Sequence, residues 1–104
     1  MMRRLSRRYE LWDVPAVSRE GEVTRAYLGG VEAVLTSRSA KESTQRQEDC
    51  AAETLSALIG ARFAPPGGFC RGMTLVAPDG AVYRMLTPVP LGRMWTVKCV
   101  RMHV

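Results

Sequence analysis

The chain has 104 residues, of which 46% are hydrophobic, and a formal net charge of +5. This length corresponds to one domain with a modest core, and the apolar fraction is normal for a globular protein. No apolar run approaches the roughly 18 residues of a membrane span, and no apolar stretch follows the basic opening. We therefore expect neither a membrane helix nor a secretory signal.

The excess positive charge is concentrated at the start of the chain. Residues 1–8 contain four arginines and no acid, whereas the remaining residues carry 11 basic and 10 acidic side chains. We predict a basic N-terminal arm over residues 1–8 that docks onto a partner subunit, followed by one small β-domain over residues 9–104. An arm that contacts nucleic-acid phosphates and a solvated tail are the alternatives. The four arginines are Arg3, Arg4, Arg7 and Arg8.

The first third of the chain has the short alternating runs that are typical of strands. Tyr9 and Leu11 fall on one face of the first run, and Pro15 marks either an edge strand or the end of the strand because it has no N–H to donate. The predicted elements are strands at residues 9–17, 23–28 and 31–36, a turn at 18–22 and a tight connection at Gly29-Gly30.

The character of the sequence changes after the third strand. Residues 37–49 contain no Val, Ile, Leu or aromatic residue, so they cannot add to a hydrophobic core. Ser39 with Glu42 has capping-box spacing, which leaves a long polar loop or a short helix open. A polar insertion of this length in so small a domain indicates a functional segment.

Residues 51–63 fit two structures. Leu55, Leu58 and Ile59 fit one face of a helix, whereas Leu55, Ile59 and Phe63 fit one face of a strand, and the period does not decide between them. Gly60 and the prolines that follow favour a strand over the second half.

The last third predicts a meander of three strands with tight turns. Residues 73–76 and 82–86 flank Pro78-Asp79-Gly80. An Asp-Gly pair between strands is a strong signal for a two-residue hairpin turn, because both residues tolerate a positive φ, and we expect one at Asp79 and at Gly80. Residues 94–100 form the last strand after a turn at 90–93. The fold class is therefore mainly β: a small antiparallel β-barrel or sandwich of about six strands. The core and turn residues that we expect to matter most are Phe63, Gly80, Tyr83 and Trp95.

The sequence contains no catalytic or metal-binding constellation. Cys50, Cys70 and Cys99 are too widely spaced for a zinc site, and the chain has one histidine, His103. Cys99 and His103 would lie too far apart along an extended strand to form a nucleophile pair. We expect no enzymatic activity, no metal and no cofactor.

The order of elements resembles that of the head-closure proteins of long-tailed bacteriophages, which are also called head–tail joining or stopper proteins. Members of this family share an aromatic-ended strand, a Pro-Gly corner, a Gly-Met step into the next strand, a Gly-x-x-Tyr hairpin and a final strand that often carries a Cys. The resemblance covers about residues 9–103, and the extended corner at 67–71 departs from it. The matching segments are Arg62-Phe63, Pro66-Gly67, Gly72-Met73-Thr74-Leu75, Gly80 to Leu86, and Trp95 to Cys99.

This resemblance implies a structural virion component. The subunits would form a homo-oligomeric ring, of six or twelve copies, in the neck of the virion after assembly in the host cytoplasm. The ring would contact a portal or adaptor protein above and a tail protein below, and would surround the DNA channel without contacting a membrane. In such a ring the polar insertion would line the channel and touch DNA non-specifically. The alternative function is a small nucleic-acid-binding barrel that uses the arginine arm. The candidate channel residues are Arg38, Lys41, Glu42, Arg46, Glu48 and Asp49.

Overall fold

A computed structural model of the chain describes residues 6–37 and 54–102. Within these ranges the chain is built from strands joined by short turns, with one 3-10 turn at Ala61–Phe63. The strands are β1 Arg7–Trp12, β2 Ala16–Val17, β3 Val23–Thr24, β4 Tyr27–Ser37, β5 Thr54–Gly60, β6 Thr74–Val76, β7 Val82–Leu91 and β8 Met94–Met102.

Six of these strands close a barrel, and every neighbouring pair is antiparallel. The order around the barrel is β1-β4-β5-β8-β7-β6, so β6 returns to β1 and the barrel has no open side. Strands β2 and β3 form a separate two-stranded ribbon. The predicted mainly-β fold of about six antiparallel strands is thus confirmed, and of the two architectures left open, barrel and sandwich, it is the barrel.

The alternation of buried and less buried residues along β5 shows that this segment, for which the sequence allowed a helix or a strand, is a strand. Leu55, Ala57 and Ile59 are buried, while the positions between them are half-buried or exposed. This period of two places a large, a small and a large side chain inside the barrel, where they meet inward residues of β8 such as Val97 and Cys99. Residues 54–60 are therefore a strand, as favoured for the second half, and residues 51–53 lie outside the described residues.

The predicted strand through Phe63 is wrong at its end. The ladder between β5 and β8 finishes at Gly60, and Ala61–Phe63 form a 3-10 turn. The Ala61 N–H donates to the Arg93 carbonyl at 2.8 Å, which ties this turn to the β7–β8 hairpin. Phe63 still packs against the core from the end of the barrel, where it is half-buried.

The predicted connection at Gly29-Gly30 is wrong, because both glycines lie within the continuous strand β4. Gly30 pairs with Glu10, and Gly29 pairs with Leu11 just before the register of β1 shifts. A Cβ on Gly30 would lie 3.0 Å from Nε of Arg8, whose side chain crosses the strand there. The glycines therefore allow a register irregularity and a close approach, not a reversal of the chain.

The predicted first and second strands are each divided in two. β1 begins at Arg7, two residues earlier than expected, and ends at Trp12, before Pro15. The chain then forms the ribbon, in which Val17 pairs with Val23 across the predicted turn at 18–22. Hydrogen bonds from the Ser18 N–H to the Glu22 carbonyl and from the Glu22 N–H to Oγ of Ser18 close that turn.

Both hairpin turns of the meander differ from the predicted ones. At Pro78-Asp79-Gly80 the loop has three residues: the Gly80 N–H donates to the Ala77 carbonyl at 2.9 Å, and only Gly80 has a positive φ, of 95°. The two-residue turn is Gly92-Arg93, between the paired residues Leu91 and Met94, with a φ of 63° at Gly92. The expectation that Asp79 also adopts a positive φ is wrong.

Replacing Gly80 by Val should destabilise the fold far more than replacing Asp79 by Asn. A side chain at positive φ costs about 1–2 kcal/mol, and space is not the cause because a Cβ on Gly80 meets nothing within 4 Å. Asn at position 79 keeps the side-chain oxygen that accepts the Ala81 N–H at 3.0 Å. Urea unfolding curves would measure both changes, and equal midpoints for the two variants would contradict the need for glycine in this turn.

Candidate assembly surfaces

The residues predicted as functional fall largely outside the barrel that the structure describes. The six candidate channel residues, from Arg38 to Asp49, and two of the arm residues, Arg3 and Arg4, lie outside the described residues. Arg7 and Arg8 lie in β1, where they pair with Ala33 and Glu32. These two arginines are thus part of the barrel wall, and the proposed arm can extend no further than residue 6.

The predicted aromatic residues support the barrel from inside. Tyr83 on β7 meets Tyr9 edge to face, with ring centroids 6.3 Å apart. Trp95 on β8 meets Phe69 in the same way, at 5.3 Å. Both Tyr83 and Trp95 are half-buried and pack against the core, as expected. Phe69 was missed, because it lies in a glycine-rich corner with no alternation, although it is only 4% exposed.

An open groove of about 690 Å³ lies where β4 and β5 meet the tip of the β7–β8 hairpin. Its apolar floor includes Leu58 and Met94, which are 36% and 40% exposed, together with Phe63. Arg62 lies over the Phe63 ring at 4.8 Å from the ring centroid, and Arg93 lines the same groove. The groove is therefore apolar at its centre and carries two arginines, with Glu32 as the acid in its lining.

The hairpin tip extends this apolar surface. Val89 and Leu91 on β7 are 39% and 59% exposed. Beyond Met85, β7 pairs only with β8 among the described residues, so residues 86–91 form an edge. Pro88 and Pro90 lie on this edge and have no N–H to offer another strand. We call Leu58, Val89, Leu91 and Met94 the hairpin surface.

A second exposed apolar surface lies on the two-stranded ribbon. Val17 and Val23 pair directly and are 67% and 62% exposed, the two largest exposures among the large hydrophobic residues described. Tyr27, at the start of β4, is also 56% exposed and contacts Trp12 at 5.3 Å between ring centroids. Exposed valines with no function of their own would weaken solubility, which makes this ribbon surface, Val17 and Val23, a candidate contact.

Charge is divided unequally between the two described parts of the chain. Residues 6–37 hold four basic and five acidic side chains, whereas residues 54–102 hold six basic side chains and one acid, Asp79. The near-neutral balance of residues 9–104 therefore combines a net charge of −3 over residues 9–37 with a net charge of +5 over residues 54–102. The six basic side chains are all exposed: Arg62, Arg71, Arg84, Arg93, Lys98 and Arg101.

The described residues include no group of three or more His, Cys, Asp or Glu side chains that could hold a metal ion. Their helical content offers no segment of the length and apolar character needed to cross a membrane. Cys99 on β8 is fully buried between β5 and β7, and desolvation raises the pKa of its thiol to about 12. Cys70 is exposed in the corner before β6.

The two thiols should react very differently in the native protein. Iodoacetamide at neutral pH should modify Cys70 and spare Cys99, because the thiolate is the nucleophile and Cys99 is both inaccessible and protonated. Mass spectrometry of peptides from native and urea-treated samples would measure this. Cys99 should become reactive only after unfolding, and rapid native labelling of Cys99 would contradict the closed barrel.

Stability should fall in alkaline solution, in part because of the same thiol. The unfolded thiol titrates near pH 9, while the native pKa is about 12, so between these values the folded state retains a proton that the unfolded state has lost. The contribution is fully present below about pH 9 and is lost as the pH rises toward 12. Tyr9, whose pKa is also raised by burial, acts with the same sign. Urea unfolding of Tyr9→Phe against the wild type across this range would separate the two groups.

Comparisons with protein-family models, with curated proteins and with solved structures gave no match for this chain.

Proposed function

We propose that this chain is a structural subunit of a bacteriophage neck, which assembles into a ring, closes the DNA-filled head beneath the portal and offers a platform to the tail. The order of its elements resembles that of head-closure proteins, and the small antiparallel barrel suits a ring subunit. In this proposal the chain performs no catalysis. Its surfaces contact neighbouring subunits, and the polar segment between β4 and β5 lines the channel.

The observation that carries the proposal is the position of that polar segment. Ser37 and Leu55 are paired across the β4–β5 ladder, so the chain between them bridges adjacent strands about 5 Å apart. Two residues are enough for such a connection, yet sixteen residues, 38 to 53, separate the end of β4 from the start of β5. The barrel does not need this length, and the segment's mixed charges and lack of large apolar side chains suit a wall past which DNA moves. A dense basic patch would instead hold the phosphates and slow transit.

The test is to assemble heads in a host that expresses the other virion genes but not this chain, and then to add the purified chain. Heads without it should lose DNA to nuclease and carry no tails. Added chain should restore both properties and appear by electron microscopy as a ring below the portal. Full DNA retention and normal tailing in heads that lack the chain would overturn the proposal.

A small nucleic-acid-binding barrel is the second candidate, and the six exposed basic residues of residues 54–102 favour it. This function predicts measurable affinity of the isolated chain for DNA, falling steeply with salt. It also predicts that deleting residues 2–5, which removes Arg3 and Arg4, weakens that affinity. Under the neck proposal the same deletion should impair assembly and leave any DNA affinity of the single subunit unchanged. Deletion should stop at residue 5, because Arg7 and Arg8 belong to β1.

A further inference from the structure

We infer that copies of this chain associate head to tail, with the hairpin surface of one copy packed on the ribbon surface of the next. The inference rests on the proposed function, since it names the contact that would build the ring. Each of the two apolar surfaces is thus covered by a second copy of this chain.

The two surfaces lie on opposite walls of the barrel. In the closed order β1-β4-β5-β8-β7-β6, strands β5 and β8 are across the core from β6 and β1. The hairpin surface belongs to β5, β8 and the adjoining end of β7. The ribbon lies beside β1 and β6, because Val23 of the ribbon lines one groove together with Trp12 of β1 and Val76 of β6. A contact between opposite walls repeats from copy to copy and closes into a ring when the rotation allows it.

Charge favours contact between unlike surfaces over contact between like ones. The hairpin surface is flanked by Arg62 and Arg93, which line its groove. The ribbon carries Glu20 and Glu22 in the turn between its two valines, and the stretch from Glu10 to Arg25 has four acids and two arginines. Packing two hairpin surfaces together would place arginines against arginines, whereas a ribbon brings acids to them.

The edge of β7 shows which kind of contact the hairpin surface can make. An exposed edge strand usually invites another strand to pair with it, but Pro88 and Pro90 remove two N–H groups from residues 86–91. Pairing of backbones is thus disfavoured on this edge. The exposed side chains of Val89, Leu91 and Met94 remain, and they fit the two exposed valines of the ribbon. We therefore expect a side-chain interface instead of an extended sheet.

Two variants that each block one surface test this geometry. Leu91→Glu damages the hairpin surface and leaves the ribbon intact, whereas Val17→Glu damages the ribbon and leaves the hairpin surface intact. Both positions are more than half exposed, at 59% and 67%, so both variants should fold, with melting temperatures near that of the wild type. Leu28→Glu is the matched control, because Leu28 is 38% exposed and belongs to neither surface.

Sedimentation velocity of the purified chain should show assemblies for the wild type and for Leu28→Glu, and monomers for each blocking variant alone. An equimolar mixture of the two variants should give dimers that contain one copy of each and nothing larger. The intact ribbon of one variant binds the intact hairpin surface of the other, and both remaining surfaces are blocked. No contact between like surfaces produces this result.

Three outcomes would overturn the inference. A mixture that stays monomeric, blocking variants that assemble like the wild type, or a wild-type chain that remains monomeric at its solubility limit would each exclude this contact. These failures are distinguishable from failure of the proposed function, which is judged by DNA retention in heads. Heads that are closed by a chain carrying both substitutions would keep the neck proposal and reject the interface.

Discussion

Replacing Gly68 by Ala should destabilise the protein much more than the same replacement at its neighbour, Gly67. Both glycines have positive φ values, of 87° and 88°, so both variants incur the backbone cost of about 1–2 kcal/mol. At Gly67 a Cβ meets nothing within 4 Å, whereas at Gly68 it would lie 2.7 Å from Cη2 of Trp95. The indole must move, and its edge-to-face contact with Phe69 must change with it.

The backbone cost is the same in both variants, so the expected difference in their free energies of unfolding comes only from packing against Trp95. Disturbing a buried aromatic contact and overpacking a core together cost about 2–4 kcal/mol, which places Gly68→Ala among the most damaging single substitutions in this chain. Urea unfolding would measure the free energies, and the fluorescence of Trp95 in a Trp12→Phe background would report the displaced indole. Equal destabilisation at positions 67 and 68 would show that the corner does not press on Trp95.

The β-fold could be predicted from the sequence because buried and less buried residues alternate clearly in strands that pair with a neighbour on both sides. On β5 the buried residues Leu55, Ala57 and Ile59 alternate with positions that are half-buried or exposed, and on β1 the buried Tyr9 and Leu11 flank an exposed glutamate. One face is buried from Leu55 to Ile59 on β5 and from Tyr9 to Leu11 on β1, so over these residues the sequence pattern and the pattern of burial coincide.

The errors arose where local signals and tertiary contacts disagree. Two adjacent glycines normally indicate a turn, but Gly29 and Gly30 continue β4, where the Arg8 side chain crosses. Asp79-Gly80 has the composition of a two-residue turn, yet the pairing of Val76 with Val82 leaves room for three loop residues between Ala77 and Ala81. The register of each strand is fixed by its pairing with the rest of the barrel, so it cannot be predicted from the turn residues alone.

The candidate surfaces were also beyond sequence reasoning. Val17 and Val23 were predicted as parts of two long strands, and nothing in the local pattern indicates that they form a ribbon outside the barrel. The two surfaces become recognisable only when the closed strand order places them on opposite walls. Most strands contain valines, so a valine in the sequence does not indicate a contact surface. Its exposure can be recognised only once the fold is known.

Replacing Thr44–Glu48 with a short Gly-Ser linker should leave the fold intact and abolish the function that we propose. The β4–β5 ladder extends as far as the pair Ser37 and Leu55, and loop-closure free energy changes by only about 0.6 kcal/mol for a twofold change in loop length. For a domain of this size, a change of 1 kcal/mol in stability shifts the melting temperature by about 4–8 °C. The melting temperature of the variant should therefore change by only a few degrees.

Heads closed with this variant should lose packaged DNA or fail to hold tails, because two of the six candidate channel residues, Arg46 and Glu48, are removed from the middle of the segment. A variant with the same five residues in scrambled order is the matched control, since it keeps length, charge and polarity. If mixed polar charge is what the channel requires, the scrambled segment should retain DNA as the wild type does. A Gly-Ser variant that melts normally and retains DNA normally would show that residues 44–48 are not a channel element, and the purpose of the long insertion would then have to be sought in contact with a neighbouring protein.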